Sequence, residues 1–267
     1  EYIIILENCQ NNIIKGIAFI ISSGIVPEVS GASGADGIIY ITSSTVVIED
    51  VLIRDVVAGT SVIGIYARDS DVVLLNIEII NSGLDKCFYM NNSKSIIHNI
   101  VLSDNHDGIY LQFGEEFING YMIGIFILNP NVRTNLLTDI TFNNNIGRAL
   151  SIGGDFNTRL NNISIYGNTN PYLTMMDIDG SPIITNITIT NNYIEAGWCG
   201  FWEYGDVDGD GWCDFSPEGY GVGLNMSGNE YSYPIIKNSI IWGNNYAGNY
   251  EMQVSGSDGL ITYSNIE

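Results

Sequence analysis

The sequence has few positive charges. Nine Lys and Arg residues stand against 30 Asp and Glu residues, which gives a formal net charge of −21. This number of cations is too small to neutralise the phosphates of a nucleic acid, so the composition argues against nucleic-acid binding. The same charge repels anionic membranes and anionic polysaccharides unless cations bridge the two surfaces.

Long apolar runs are lacking as well. The longest, 121–128, is far shorter than the roughly 18 residues that a membrane-spanning helix needs, so we expect no membrane span. No charged-then-apolar leader opens the chain, which predicts that any signal peptide was removed or lies upstream. Both ends look cut, because Glu1–Leu6 begins inside a strand pattern and Ile261–Glu267 stops inside a repeat. We therefore expect residues 1–267 to be a single domain and a fragment of a longer protein.

A helical period is absent, and a strand-like phrase recurs instead. The phrase reads apolar–x–Asn/Asp–apolar–x–apolar, with the polar residue at Asp50, Asn76, Asn99, Asp139, Asn162 and Asn186. Intervals of 26, 23, 23 and 24 residues separate these positions, apart from one longer repeat, as in a solenoid whose repeat is one coil. Second short strands are predicted after each turn, at 37–41, 63–67, 86–90, 108–111, 149–152, 174–178, 221–226 and 251–254. The sequence thus predicts an all-β parallel β-helix of about nine to ten coils, whereas a sandwich would need hairpins.

The repeated Asn and Asp side chains are predicted to be structural. Each is expected to be a turn residue or part of an inward ladder that bonds backbone or the same position in the next coil. Two repeats are longer than the others and predict insertions near 113–135 and 192–221. Insertions leave a solenoid through its turns and often form its binding face.

These coils resemble the right-handed parallel β-helix repeats of bacterial secreted and cell-surface proteins, which share their fold with pectate lyases. The segments Lys237–Asn244 and Ile261–Glu267 are similar to the closing coils found before the C-terminal anchor of such proteins. The resemblance implies a right-handed coil and an extracellular or cell-surface location. It implies no activity, because the fold hosts lyases, hydrolases, epimerases, adhesins and inert stalks.

The long insertion contains a candidate calcium loop. Alternating acidic residues followed by glycines offer oxygens at alternate positions of one turn, with Trp212 contributing its carbonyl: Asp206, Asp208, Asp210, Trp212 and Asp214. The spacing matches the start of an EF-hand loop but departs from it at position twelve, which is Pro217. The segment looks closer to the calcium loops of dockerins and thrombospondin type 3 repeats. The alternative is an acidic, solvated turn, but carboxylates this close repel each other strongly without a cation.

Cysteines and aromatic residues surround this loop. Cys199 and Cys213 flank it and are predicted to form a disulfide, with free thiols as the alternative, whereas Cys9 and Cys87 are expected to be buried small apolar residues. The aromatic residues of the insertion form its own small core or, in part, stack on sugar rings. The candidates for ligand contact are Trp198, Trp202, Tyr204 and Trp212.

Catalytic signals are weaker. Asp177 and Asp179 alternate along one strand and therefore face the same side, where two carboxylates about 7 Å apart suit glycoside hydrolysis. Asp155 from the preceding coil could join them, and His106 is a candidate general base. An acidic outer face on an acidic protein explains the same residues without catalysis.

Three hypotheses follow. The first is an extracellular calcium-binding module for surface adhesion, carbohydrate contact or structural support, without catalysis. The second is a polysaccharide lyase or glycoside hydrolase that acts near Asp177 and Asp179. The third is a filament subunit that stacks head to tail, because exposed sheet edges at both ends are templates for pairing.

Overall fold

The computed structural model describes residues 2–20, 37–56, 62–106, 110–113, 116–119, 122–128, 135–155, 158–170, 174–194, 221–227, 233–244, 250–255 and 260–266. These residues form strands and turns, and none of them lies in a helix. Nothing helical in the described part of the chain therefore has the length and apolarity that a membrane crossing requires. The strands are, in chain order, β1 (Tyr2–Glu7), β2 (Asn12–Ile20), β3 (Gly37–Thr42), β4 (Thr45–Arg54), β5 (Ile63–Arg68), β6 (Asp71–Ile80), β7 (Lys86–Asn91), β8 (Lys94–Ser103), β9 (Tyr110–Phe113), β10 (Glu116–Asn119), β11 (Met122–Leu128), β12 (Asn135–Asn143), β13 (Gly147–Asp155), β14 (Arg159–Tyr166), β15 (Thr169–Asn170), β16 (Met176–Gly180), β17 (Ile183–Thr190), β18 (Tyr193–Ile194), β19 (Gly221–Ser227), β20 (Ile235–Lys237), β21 (Ile240–Trp242), β22 (Tyr250–Ser255), β23 (Leu260–Thr262) and β24 (Asn265–Ile266).

The chain alternates between two parallel sheets. The nine-stranded sheet has the order β1-β3-β5-β7-β11-β13-β16-β19-β22. The eleven-stranded sheet has the order β2-β4-β6-β8-β12-β14-β17-β20-β23, with β21 paired to β17 and β24. The predicted all-β class is confirmed, and stacked parallel strands from successive repeats are consistent with a β-helix.

The core lies between the two sheets and is built from residues that stack in register from coil to coil. In the nine-stranded sheet one such stack is fully buried and runs Ile39, Ile65, Phe88, Ile125, Leu150, Met176 and Leu224. Large apolar side chains on successive strands bury a continuous surface, so each strand of the sheet is stabilised chiefly by its two neighbours.

The Asn/Asp of the repeated phrase reorients each long strand. In β4, Ile48 and Val51 are buried, whereas Glu49 and Asp50 between them are not, so the alternation of side chains shifts at Asp50. The cause is a left-handed backbone conformation, with φ of 54° at Asp50. The same conformation recurs at the matching position of nine coils: Gly16, Asp50, Asn76, Asn99, Asp139, Asn162, Asn186, Asn238 and Tyr263. The prediction of a turn residue is confirmed, because Asn, Asp and Gly adopt this conformation most readily.

Some of these side chains form a ladder, but on the solvent side. The Nδ2 atom of Asn76 donates to Oδ1 of Asp50 at 2.8 Å, and Nδ2 of Asn99 donates to Oδ1 of Asn76 at 2.8 Å. The Asn76 amide and then Lys15, whose Nζ lies 3.4 Å from Oδ2 of Asp50, hold the pKa of this carboxyl below its usual range. An inward direction for this ladder is wrong, because the left-handed residue follows an outward residue and faces outward itself.

A second ladder is buried, and it follows the phrase by six residues. It consists of Asn105, Asn145, Asn168, Asn192 and Asn244, each of which donates from Nδ2 to Oδ1 of the next at 3.1, 2.9, 2.9 and 2.7 Å. The first four are at most 2% exposed. Their Oδ1 atoms also accept from backbone N–H groups of the preceding coil, so the ladder satisfies the turn that leaves the eleven-stranded sheet.

One predicted strand lies elsewhere. The segment 108–111 was expected in the nine-stranded sheet, but β11 occupies this level, between β7 and β13. Residues 110–113 instead form β9, which pairs antiparallel with β10. The extra residues of this repeat thus include a hairpin that precedes β11.

Candidate functional site

The outer face of the nine-stranded sheet carries a row that changes from aromatic to polar. Its first part, the tyrosine row, is Tyr40, Tyr66 and Tyr89 in direct register on β3, β5 and β7. Its second part, the polar row, is Ser151, Asp177, Asn225 and Gln253 on β13, β16, β19 and β22. Within each part, parallel in-register pairing places neighbouring residues about 4.8 Å apart, and β11 lies between the two parts.

The tyrosines contact one another through their rings. The centroids of Tyr66 and Tyr89 lie 4.9 Å apart in a stacked arrangement, and those of Tyr40 and Tyr66 lie 5.3 Å apart and tilted. Nζ of Lys86 lies 5.9 Å from the Tyr89 ring centroid. Burial, with a smaller contribution from Tyr66, raises the pKa of Tyr89. The rings of Tyr66 and Tyr89 thus cover each other's faces, whereas the ring of Tyr40 meets that of Tyr66 at an angle.

Asp177 is held by two donors. Nη1 of Arg148 lies 2.9 Å from Oδ2 of Asp177, and Nδ2 of Asn225 donates to Oδ1 at 2.9 Å. The side chain of Arg148 is 16% exposed and that of Asp177 is 32% exposed. Nε of Arg148 is buried and has no hydrogen-bond partner among the described residues. Both carboxylate oxygens of Asp177 thus bond to side chains of neighbouring strands. We call this arrangement the clamp on Asp177.

The remaining catalytic candidates are only partly brought together with Asp177. Asp179 lies two residues further along β16, in register with Ser227. Asp155 is in register with Gly180, after a shift in pairing that follows Ile152. Asp155 and Asp179 therefore lie on neighbouring strands, but they are offset from each other by one residue along the strands.

His106 lies apart from these acids. It is exposed, in the turn after β8, where its backbone N–H donates to Ser82 and its carbonyl accepts from Leu84. The β16 strand belongs to a later coil, beyond β12 and β14. His106 and Asp177 consequently do not share one site.

The predictions for the long insertion fall outside the described residues. They comprise the calcium ligands Asp206, Asp208, Asp210, Trp212 and Asp214, the aromatic contacts Trp198, Trp202 and Tyr204, and the cysteines Cys199 and Cys213. Within the part of the chain that is described, no group of three or more His, Cys, Asp or Glu side chains is placed to hold a metal ion. The calcium loop and the disulfide stay predictions.

The two described cysteines form no disulfide. Cys87 is buried, and burial raises the pKa of its thiol far above the usual range, so it is a poor nucleophile. Cys9 is half-buried, and its Sγ lies 3.3 Å from the carbonyl oxygen of Glu7. Cys87 is thus the buried small apolar residue that the sequence predicts, whereas Cys9 is only partly buried.

Comparison with known proteins gives no functional assignment. Neither the family models nor the curated proteins contain a match to this chain. Among solved structures, an alginate lyase from Paenibacillus sp. str. FPU-7 aligns over 98% of this chain and 99% of that chain, with 12% identity and a TM-score of 0.27. HetL, a pentapeptide repeat protein involved in heterocyst differentiation regulation in Nostoc sp. strain PCC 7120, aligns over 99% and 87%, with 10% identity and a TM-score of 0.23. Similarities at this level carry no argument about what this chain does.

Proposed function

We propose that the chain is an extracellular, calcium-binding module with a right-handed parallel β-helix of about nine to ten coils, which contacts a surface or a carbohydrate without catalysis. The observation that carries this proposal is the clamp on Asp177, whose two carboxylate oxygens bond to Arg148 and Asn225. A general acid or base must present an oxygen to the substrate, and these contacts direct both oxygens to the protein.

The repeated polar residues support the same proposal. The outward Asn/Asp ladder joins Asp50, Asn76 and Asn99, and the buried Asn ladder joins the strands from Asn105 to Asn244. Such ladders suit a rigid support for the insertion that the sequence predicts at 192–221.

Calcium binding is the first testable consequence. We expect calcium to raise the melting temperature and a chelator to lower it. Asp208→Asn and Asp210→Asn each remove a predicted ligand charge, so we expect calcium affinity measured by titration calorimetry to fall at least about tenfold. Asp104→Asn makes the same charge change on an exposed turn outside the insertion and should bind calcium like the unaltered chain. Equal calcium binding by all of these variants would contradict a calcium loop.

The second testable consequence concerns the clamp on Asp177. Asp177→Asn leaves the poorly exposed guanidinium of Arg148 without its carboxylate. We expect a loss of about 1–2 kcal/mol in the free energy of unfolding, between the values for exposed and buried pairs. Polysaccharide binding should be unchanged, since the side chain is not expected to contact the ligand.

The enzyme hypothesis predicts a different result for the same variant. If the unaltered chain released unsaturated or reducing sugar from a polysaccharide panel, and Asp177→Asn abolished that release, the non-catalytic proposal would be wrong. Retention on a glycan array without product release supports it.

A further inference from the structure

A row of aliphatic side chains runs along the outer face of the eleven-stranded sheet. Direct register from coil to coil gives Ile13, Val47, Val73, Ile96, Leu136, Arg159, Ile183, Ile235 and Leu260. We call this the aliphatic row. Only its sixth member is polar, although the alternating pattern of a half-buried sheet places polar residues outside.

The aliphatic row is accessible. Its neighbours along each strand, such as Val46 and Ile48, are buried in the core, whereas Ile13 is 68% and Ile96 is 37% exposed. Towards the other end, Ile183 is 37% and Leu260 is 51% exposed. With the two rows that flank it, the face measures about 40 Å by 20 Å, or roughly 800 Å², from strand spacing and side-chain alternation. That is about the area per partner in a stable protein–protein interface.

The charge of this face differs from that of the chain. The aliphatic row and its two flanking rows hold four of the nine Lys and Arg residues: Lys15, Lys94, Arg159 and Lys237. Among the described residues, the same rows hold Glu49 and Asp71 out of 30 acids. A protein of charge −21 repels its own copies over most of its surface, and the described residues of this face do not add to that negative charge.

We propose that the aliphatic row is a self-association surface, on which a second copy packs face to face and antiparallel about a two-fold axis. Reversal of the row about its central member places Leu136 opposite itself and Ile96 opposite Arg159. In the flanking row of Lys15, Glu49 and Lys237, the same reversal places Glu49 opposite Lys237, twice by symmetry. The reversed face therefore sets aliphatic residues opposite aliphatic residues along most of the row and adds one opposite-charge contact, between Glu49 and Lys237, at two symmetric places. In this dimer the long axes of the two copies lie next to each other, in contrast to head-to-tail stacking, and the contact does not depend on calcium or carbohydrate binding.

Two substitutions at one position test the register. Because Ile96 lies opposite Arg159, Ile96→Lys creates a like-charge contact and Ile96→Glu creates an ion pair. We expect the unaltered chain to dimerise in sedimentation equilibrium at about 0.15 M salt, where the Debye length is about 8 Å. Dimerisation should weaken at least about tenfold for Ile96→Lys and by clearly less for Ile96→Glu. Melting curves check that both variants are folded.

A charge exchange tests the flanking contact. Lys237→Glu should weaken the dimer, and the double variant Glu49→Lys, Lys237→Glu should restore it in part, because the contact between copies re-forms with reversed charges while the ion pair of Glu49 with Lys15 at 3.1 Å is lost. Ile240→Lys is the matched control, because Ile240 is 45% exposed but lies beyond the turn at Asn238, on another face. A chain that stays monomeric at all concentrations overturns the proposal. So does a dimer that responds equally to Ile240→Lys, or that tolerates Ile96→Lys, as head-to-tail stacking would.

Discussion

Replacement of Asn168 by Ala is expected to lower the free energy of unfolding by about 3 kcal/mol or more. Asn168 is 1% exposed and lies in the middle of the buried ladder. Its Oδ1 accepts from the backbone N and from Nδ2 of Asn145, both at 2.9 Å. Its Nδ2 reaches the carbonyls of Phe142 and Tyr166 and Oδ1 of Asn192.

The expected loss is large because the substitution leaves several groups unsatisfied at once. Each buried polar group without a partner costs about 1–3 kcal/mol, and water reaches this turn poorly. The coils above and below both lose a bond, so the damage is not confined to one repeat. Denaturant titration followed by circular dichroism measures the effect.

Asn162→Gly is the matched control in the same coil. Asn162 has φ of 55° and donates to Oδ1 of Asp139 on the solvent side. Glycine keeps this backbone conformation without strain and removes one exposed bond, so we expect a loss of at most about 1 kcal/mol. Equal losses for the two variants would contradict the distinct roles of the two ladders.

The two ladders show which features of the structure could be predicted from the sequence. The phrase around Asn162 predicted parallel strands and most of their positions correctly, because apolar alternation and a period fix those features. It assigned the inward direction to the wrong asparagine. The sequence held a signal for the buried ladder, namely Asn six residues after the phrase in five coils: Asn105, Asn145, Asn168, Asn192 and Asn244. A period identifies recurring positions. Whether the side chain at such a position points into the core or towards solvent depends on the left-handed residue that precedes it.

Two features of the structure could not be predicted from the repeated sequence pattern. Residues 108–111 and 122–128 both suit a strand, and the pairing of β11 with β7 and β13 decides between them. The clamp on Asp177 joins Arg148 and Asn225, which lie 29 and 48 residues away. Contacts between coils of unequal length depend on register shifts, such as the one after Ile152. Composition and spacing predict the solenoid but not which donor reaches a given carboxylate.

Gly64→Ala is expected to destabilise the protein by about 2–3 kcal/mol. Gly64 lies in β5, and a Cβ at this position would be 2.6 Å from the carbonyl oxygen of Cys87 in the next coil. Because the obstacle is backbone and not a flexible side chain, β5 and β7 must separate to admit the methyl group. Leu84 Cδ1 at 3.4 Å leaves little room for a sideways shift.

Gly16→Asn separates this clash from the loss of a glycine. Gly16 has φ of 68° and nothing within 4 Å of the added atom, and its position matches the Asn/Asp of the other coils. Both substitutions reduce the conformational freedom of the unfolded chain, which by itself favours folding by less than about 1 kcal/mol. We therefore expect Gly16→Asn to be neutral or slightly stabilising in the same denaturant titration. A Gly64→Ala variant as stable as Gly16→Asn would mean that neighbouring coils are not held at the close spacing on which both ladders depend.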